Sequence, residues 1–181
     1  MSDSVFASVD LREHIRNIPD FPKPGIVFRD ITPLLLHPPA LSEAIDRISE
    51  FASERRVDVI AAAEARGFIL GGAVARSVGA GFIPVRKPGK LPWDTHSAEY
   101  VLEYGVDALE IHQDAVADGA RVLVHDDLLA TGGTAAAVCD LITKAGGEVV
   151  GCSFLAELAF LDGRAKLPGC DIQSLVIYDS E

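Results

Sequence analysis

Residues 122–134, Val-Leu-Val-His-Asp-Asp-Leu-Leu-Ala-Thr-Gly-Gly-Thr, put two kinds of binding chemistry side by side. Asp126 and Asp127 are adjacent carboxylates. Ala130, Thr131, Gly132, Gly133 and Thr134 offer backbone N–H groups, two hydroxyls, and glycines that let a ligand approach closely. A helix starting at the glycines would place its positive end under that loop, so this half reads as a phosphate cradle. Two acids beside a polyanion make sense when the ligand also carries vicinal hydroxyls or Mg²⁺. A ribose 5-phosphate meets both demands, with its phosphate in the loop and its hydroxyls donating to Asp126 and Asp127. No Gly-Lys-Ser/Thr follows the glycines, which excludes a Walker-type loop.

The elements around the run must hold it rigidly. Ala120–His125 reads as a buried strand, with the acids leaving its C-terminal end, where open α/β sheets bind ligands. A helix follows from about Gly133 to Ala145. Elsewhere, short buried strands are expected over Val57–Ala62, Gly81–Arg86, Glu148–Leu155 and Ile172–Tyr178. Helices are expected over Asp10–Asn17, Ala40–Glu54 (apolar stripe Leu41, Ile45, Ile48, Phe51) and Gly67–Val78, the last stopped by Gly79. Tyr100–Glu103 and Ala108–His112 flank Gly105-Val106-Asp107 and suggest a hairpin. Pro22 and Pro24 make Phe21–Gly25 an irregular arm. Alternating strands and helices imply an α/β fold, a mainly parallel sheet flanked by helices, in one domain over residues 1–181.

The chain has 181 residues, 49% of them apolar, and a formal net charge of −11 from 16 basic and 27 acidic residues. That balance disfavours nucleic-acid or anionic-membrane binding. No apolar run approaches the roughly 20 residues of a membrane span. The N-terminus lacks the basic and apolar regions of a secretory signal, so a cytoplasmic location is expected. Cys139, Cys152 and Cys170 are odd in number and widely spaced, which suits free thiols rather than a disulfide framework. A polyphosphate ligand would need concentrated positive charge in so acidic a chain. Arg86, Lys87 and Lys90 supply it within five residues, on a long Pro- and Gly-marked connection of the kind that often forms a lid.

The run Asp126–Thr134 resembles the phosphoribosyl diphosphate (PRPP) motif of type I phosphoribosyltransferases, and in detail that of their adenine-using members. Three further segments resemble the same family in the same order: Phe21–Ile31 (Phe-Pro-Lys-Pro-Gly-Ile-Val-Phe-Arg-Asp-Ile), Glu64-Ala65-Arg66-Gly67-Phe68, and Arg86–Pro92 with Glu103-Tyr104-Gly105 beyond it. The resemblance runs from roughly residue 15 to 160. It implies the type I phosphoribosyltransferase fold, with a small N-terminal hood and an antiparallel hairpin lid. It implies transfer of the 5-phosphoribosyl group from PRPP to adenine, giving AMP and diphosphate in purine salvage. Mg²⁺, held mainly by PRPP oxygens, is the implied cofactor and a homodimer the implied assembly.

Roles for single residues follow from the same resemblance. Arg66, Arg86, Lys87 and Lys90 would meet the diphosphate, under a lid formed by Lys87–Ala98. Asp126, Asp127 and Ala130–Thr134 would hold the ribose and its phosphate. Glu103 would meet adenine N7, with Tyr104 packing nearby. Val27 and Arg29 would read the base with main-chain atoms, Phe28 would pack on the ring, and Leu128 would cover its other face. Ala65 stands where relatives more often carry Ser, and the turn there often holds a cis peptide. Two alternatives stay open: a phosphoribosyltransferase for another base, and a non-catalytic PRPP-sensing regulator. Glu103 and the lid cations favour an enzyme over the sensor.

Overall fold

The computed structural model describes residues 9–101 and 106–181. Five parallel strands form the central sheet: β3 (Val59–Ala63), β4 (Gly81–Val85), β7 (Arg121–Leu129), β8 (Glu148–Leu158) and β9 (Ile172–Tyr178), in the order β4-β3-β7-β8-β9. Strand residues alternate between two cores. Ile60 and Leu123 face helices α2 (Pro38–Glu54) and α3 (Gly67–Val78), whereas Ala61, Val122 and Val124 face α4 (Gly133–Lys144). A sheet covered on both faces needs apolar residues at successive positions, which is why these strands read as continuous apolar runs. Gly79 ends α3 in the left-handed conformation, at φ 73°. The short helix α1 (Thr32–Leu36) leads into α2.

A hairpin of β5 (Thr95–Val101) and β6 (Val106–His112) packs on α4 through Ala98, Leu109 and Ile111. It starts five residues before the expected Tyr100. Its register pairs Thr95 with His112, so part of the expected lid segment is strand. The hairpin is joined to the end of β4 by the bridge between Arg86 and Glu110.

Two expectations are corrected. Asp10–Asn17 is not a helix: Leu11–His14 forms one 3₁₀ turn and β1 (Arg16–Ile18) follows, paired antiparallel with β2 (Phe28–Asp30). So short a helix cannot offset its own nucleation, and the ladder to β2 takes the backbone hydrogen bonds instead. Asp10 Oδ1 accepts from the N–H of Arg12 and so caps that turn. Strand β7 also runs on to Leu129, so the two acids lie inside its last turnings and not beyond them. The cause is β8, which extends alongside and pairs Asp126 with Phe154 and Leu128 with Ala156.

Candidate active site

The C-terminal ends of β3 and β7 open onto one site. Arg66, the residue preceding α3, donates from Nε to Asp127 Oδ2 at 2.5 Å. Its guanidinium also lies 5.0 Å from the centre of the Phe28 ring, within cation–π range. One side chain therefore joins the three segments expected to bind base, diphosphate and ribose. Glu64-Ala65, just before it, is a cis peptide. Gly67 abuts the acids so closely that a Cβ there would lie 3.0 Å from Asp126 Oδ1. Burial, and then the charge of Asp127, push the Asp126 carboxyl well above its ordinary range.

The loop Ala130–Thr134 surrounds a cavity of about 60 Å³. Gly132, at φ 77°, caps α4, and among the described residues no side chain caps that helix end. The first N–H groups of α4 thus remain available to an anion. Gly132 has a second constraint that local sequence does not show. Its position would place a Cβ 2.2 Å from the Gly163 carbonyl oxygen, and a Cβ on Gly163 would lie 2.2 Å from the Ala130 oxygen. The 3₁₀ segment Gly163–Lys166 thus forms the floor of the loop. Arg164 anchors it with paired 2.7 Å hydrogen bonds to both carboxylate oxygens of buried Glu157 on β8. Those bonds hold the Glu157 carboxyl below its usual range. Gly163, Arg164 and Glu157 were not among the expected site residues. The only local signal was the turn-forming pair Asp162-Gly163.

Two of the lid cations expected to meet diphosphate, Arg86 and Lys87, are held by carboxylates of the same chain. Arg86 Nε donates to Glu64 Oε2 at 2.8 Å, and Lys87 Nζ lies 3.0 Å from Asp107 Oδ2. Lys90 is exposed, and its carbonyl accepts from Arg86 Nη1 at 3.4 Å. Glu103 and Tyr104 lie outside the described residues, in the connection between β5 and β6.

The segment expected to read the base enters a strand. In a two-stranded antiparallel ribbon, alternate residues turn N–H and C=O away from the partner strand, leaving them open to a ligand. Val27 precedes β2, and Phe28 is half-buried with its ring edge-on to Phe21 at 5.2 Å. Arg29 turns its side chain away into the protein, 6% exposed. Its Nη1 donates to Asn17 Oδ1 at 2.5 Å, and its guanidinium stacks 4.0 Å from the centre of the Tyr178 ring. Leu128 is half-buried and packs on the core facing α2 and α3. Arg29→Ala should therefore destabilise the fold by about 1–3 kcal/mol, because Asn17 loses a charged partner. Selectivity between adenine and hypoxanthine should be unchanged. Thermal melting and kcat/KM for both bases check the two halves of that expectation.

His125, immediately before the acids, is wholly buried. Its Nδ1 lies 3.0 Å from the Ser153 carbonyl oxygen, which can only accept, so Nδ1 carries the proton. Nε2 is buried without a hydrogen-bond partner among the described residues. Burial lowers this histidine to about 4 from an ordinary 6.5. The unfolded chain then binds a proton that the folded chain refuses between those values. Stability from this residue is complete above pH 6.5 and declines as pH falls toward 4, by about 3 kcal/mol in all. Denaturant titrations of wild type and His125→Leu at pH 7 and pH 4.5 should show a smaller loss in the variant.

Comparisons with known proteins agree with this geometry. The phosphoribosyl transferase domain family matches residues 34–167. The chain belongs to the phosphoribosyltransferase family. An adenine phosphoribosyltransferase of Thermotoga maritima is 56% identical over 170 residues, covering 94% of this chain and 98% of its own length. The crystal structure of the adenine phosphoribosyltransferase from Thermoanaerobacter pseudethanolicus superposes with a TM-score of 0.90 at 54% identity, covering 93% of this chain and 98% of that one. The Saccharomyces cerevisiae adenine phosphoribosyltransferase, crystallised with adenine and an imino-altritol bisphosphate, gives 0.87 at 37% identity, with 91% and 96% covered. Within the phosphoribosyltransferase family, this chain thus sits among the adenine phosphoribosyltransferases, and its five-stranded sheet with an antiparallel hairpin is their type I fold.

Proposed function

We propose that this phosphoribosyltransferase moves the 5-phosphoribosyl group from PRPP to adenine, giving AMP and diphosphate, and so serves purine salvage. The observation that carries the reading is the acid pair of β7 running straight into an uncapped helix N-terminus, with Arg66 linking it to Phe28. The relatives that share this architecture are adenine phosphoribosyltransferases.

In the proposed reaction, adenine N9 bonds to the anomeric carbon as the carbon–oxygen bond to diphosphate breaks. Diphosphate leaves with the electron pair. Positive charge builds on the sugar and negative charge on the leaving group, so fixed charges and exclusion of water matter more than a protein nucleophile. Asp126 and Asp127 accept the ribose hydroxyls, and Ala130–Thr134 bind the 5-phosphate. Arg66, Arg86, Lys87 and Lys90 meet the diphosphate, which replaces the carboxylates that now hold three of them. The segment Lys87–Ala98 shields the site from water. Val27, Arg29 and Phe28 hold the base, with Leu128 on its other face.

Glu103 takes or holds the N7 proton as N9 attacks. On this reading Glu103→Gln lowers kcat by about 10²–10⁴-fold while PRPP affinity is kept. Wild-type turnover in that variant would remove Glu103 from the base chemistry.

The donor set near the sugar consists of hard carboxylate oxygens, which suits Mg²⁺. Held mainly by PRPP oxygens, Mg²⁺ would neutralise diphosphate charge as it leaves. The same reading gives one domain over residues 1–181, a homodimer and a cytoplasmic location. The free thiols suit a reducing compartment. Among the described residues, no helix is long and apolar enough to cross a membrane.

Formation of AMP from adenine and PRPP, with hypoxanthine, guanine and orotate as competing bases, tests the assignment. Adenine should be preferred over each. Preference for another base would move the chain to a different phosphoribosyltransferase activity, and PRPP binding without turnover of any base would make it a sensor.

A further inference from the structure

Three cysteines that are distant in sequence meet in space. Cys139 lies on α4, Cys152 on β8, and Cys170 just before β9. Their sulfurs all lie within 4.8 Å of one another, and those of Cys139 and Cys152 are 3.8 Å apart. All three are free thiols. They are the only group of three potential metal-ligating side chains so placed among the described residues.

The spacing has a specific meaning. Two sulfurs bound to one ion at about 2.3 Å, with angles between tetrahedral and trigonal, sit about 3.8–4.0 Å apart. Cys139 and Cys152 are already at that separation, and Cys170 needs a shift of less than 1 Å or so to join them. The setting is apolar: Cys152 belongs to the core with Val138, Ile142 and Phe154, and the other two cysteines pack against it. A hard cation that keeps its waters has no place in such a site. Thiolate ligands select soft ions. Zinc almost always takes four ligands, and no fourth His, Cys, Asp or Glu joins this cluster among the described residues.

We propose that Cys139, Cys152 and Cys170 form a binding site for one soft, thiophilic ion of coordination number three, of which monovalent copper is the type. Each sulfur–metal bond replaces a sulfur–hydrogen bond. The proton leaves to solvent and no electron changes hands. The bound ion ties α4 to β8, less than two turns beyond the helix end that carries the phosphate loop. The site is separate from the PRPP and adenine groups, so it stands or falls independently of the proposed reaction.

The test uses the full-length, reduced chain under anaerobic conditions, titrated with Cu(I) in competition with a chromophoric Cu(I) chelator. The expected result is one equivalent withdrawn from the chelator, with a thiolate-to-copper charge-transfer band in the ultraviolet. Cys170→Ser, a change at a half-buried position, and Cys139→Ser should each weaken binding at least about 10-fold to 100-fold, the loss seen even when groups supporting a metal ligand are removed. Circular dichroism establishes that both variants fold. No withdrawal of copper by the wild-type chain overturns the proposal, as does unchanged binding in folded Cys170→Ser. Zn(II) held as tightly as Cu(I) overturns the coordination number.

Discussion

Gly163→Ala should cost about 10²-fold in kcat/KM for PRPP, although the residue touches no assigned substrate group. The added Cβ would lie 2.2 Å from the Ala130 carbonyl oxygen, 3.1 Å from the Gly132 nitrogen and 3.1 Å from Leu129 Cδ1. Two of these are backbone atoms of the loop Ala130–Thr134, which cannot swing aside as a flexible side chain would. The floor is also fixed, because Arg164 is clamped to Glu157 at both oxygens. The loop must therefore move by about 1 Å, and misplacements of that size cost on the order of 10²-fold in catalysis. Overpacking should also cost about 1–3 kcal/mol of stability. Gly132→Ala should behave similarly from the other side of the contact, with left-handed backbone strain added. Gly72→Ala is the control: nothing lies within 4 Å of its Cβ position in α3, so stability should rise slightly and kinetics hold. Wild-type PRPP kinetics in folded Gly163→Ala would show that the loop tolerates a moving floor.

Gly163 also marks the limit of what the residues alone disclose. The stop of α3 at Gly79 and the strand Ile172–Tyr178 were legible because local rules decide them: a left-handed glycine and an apolar run between turn signals. The start of α4 after the glycines was legible for the same reason, since the glycines, hydroxyls and helix start are consecutive. Features set by distant chain were not. Strand β7 continues through the acids because β8 runs beside it, and Asp10–Asn17 abandons its helical pattern because β2 offers a partner. Nor was the span of Arg66 from Phe28 to Asp127, which depends on how the N-terminal ribbon is laid over the sheet. Arg29 illustrates the reverse case. Its assignment as a main-chain reader fits a side chain committed to Asn17 and Tyr178, a commitment its neighbours in sequence do not encode.

Asp126→Asn should weaken PRPP and stabilise the protein without ligand, two effects of opposite sign from one atom exchange. The Asp126 carboxyl is raised first by burial and then by the neighbouring Asp127 charge. A carboxyl raised in the folded state takes up protons that the unfolded chain has released. Folding is then penalised as pH climbs above the ordinary carboxylate value of 3.8, and the penalty is complete once pH exceeds the raised value. Asparagine carries no charge to bury, yet its Oδ1 can still accept the 2.9 Å hydrogen bond from the Asp127 N–H. The melting temperature of Asp126→Asn should therefore exceed that of wild type at neutral pH, by about 2–4 °C for each kcal/mol relieved, and the difference should close as pH falls toward 3.8. PRPP affinity, titrated with Mg²⁺ present, should drop by about 1.5–3 kcal/mol for the charged hydrogen bond lost, and further in the double variant with Asp127→Asn. Asp127→Asn alone should not stabilise, because it breaks the ion pair with Arg66. A structural role for Asp126 would give the opposite pattern, a lower melting temperature with PRPP affinity intact. A carboxylate that burdens the empty protein and strengthens the complex is what a site for sugar hydroxyls requires, and the paired measurements separate the two cases without reference to turnover.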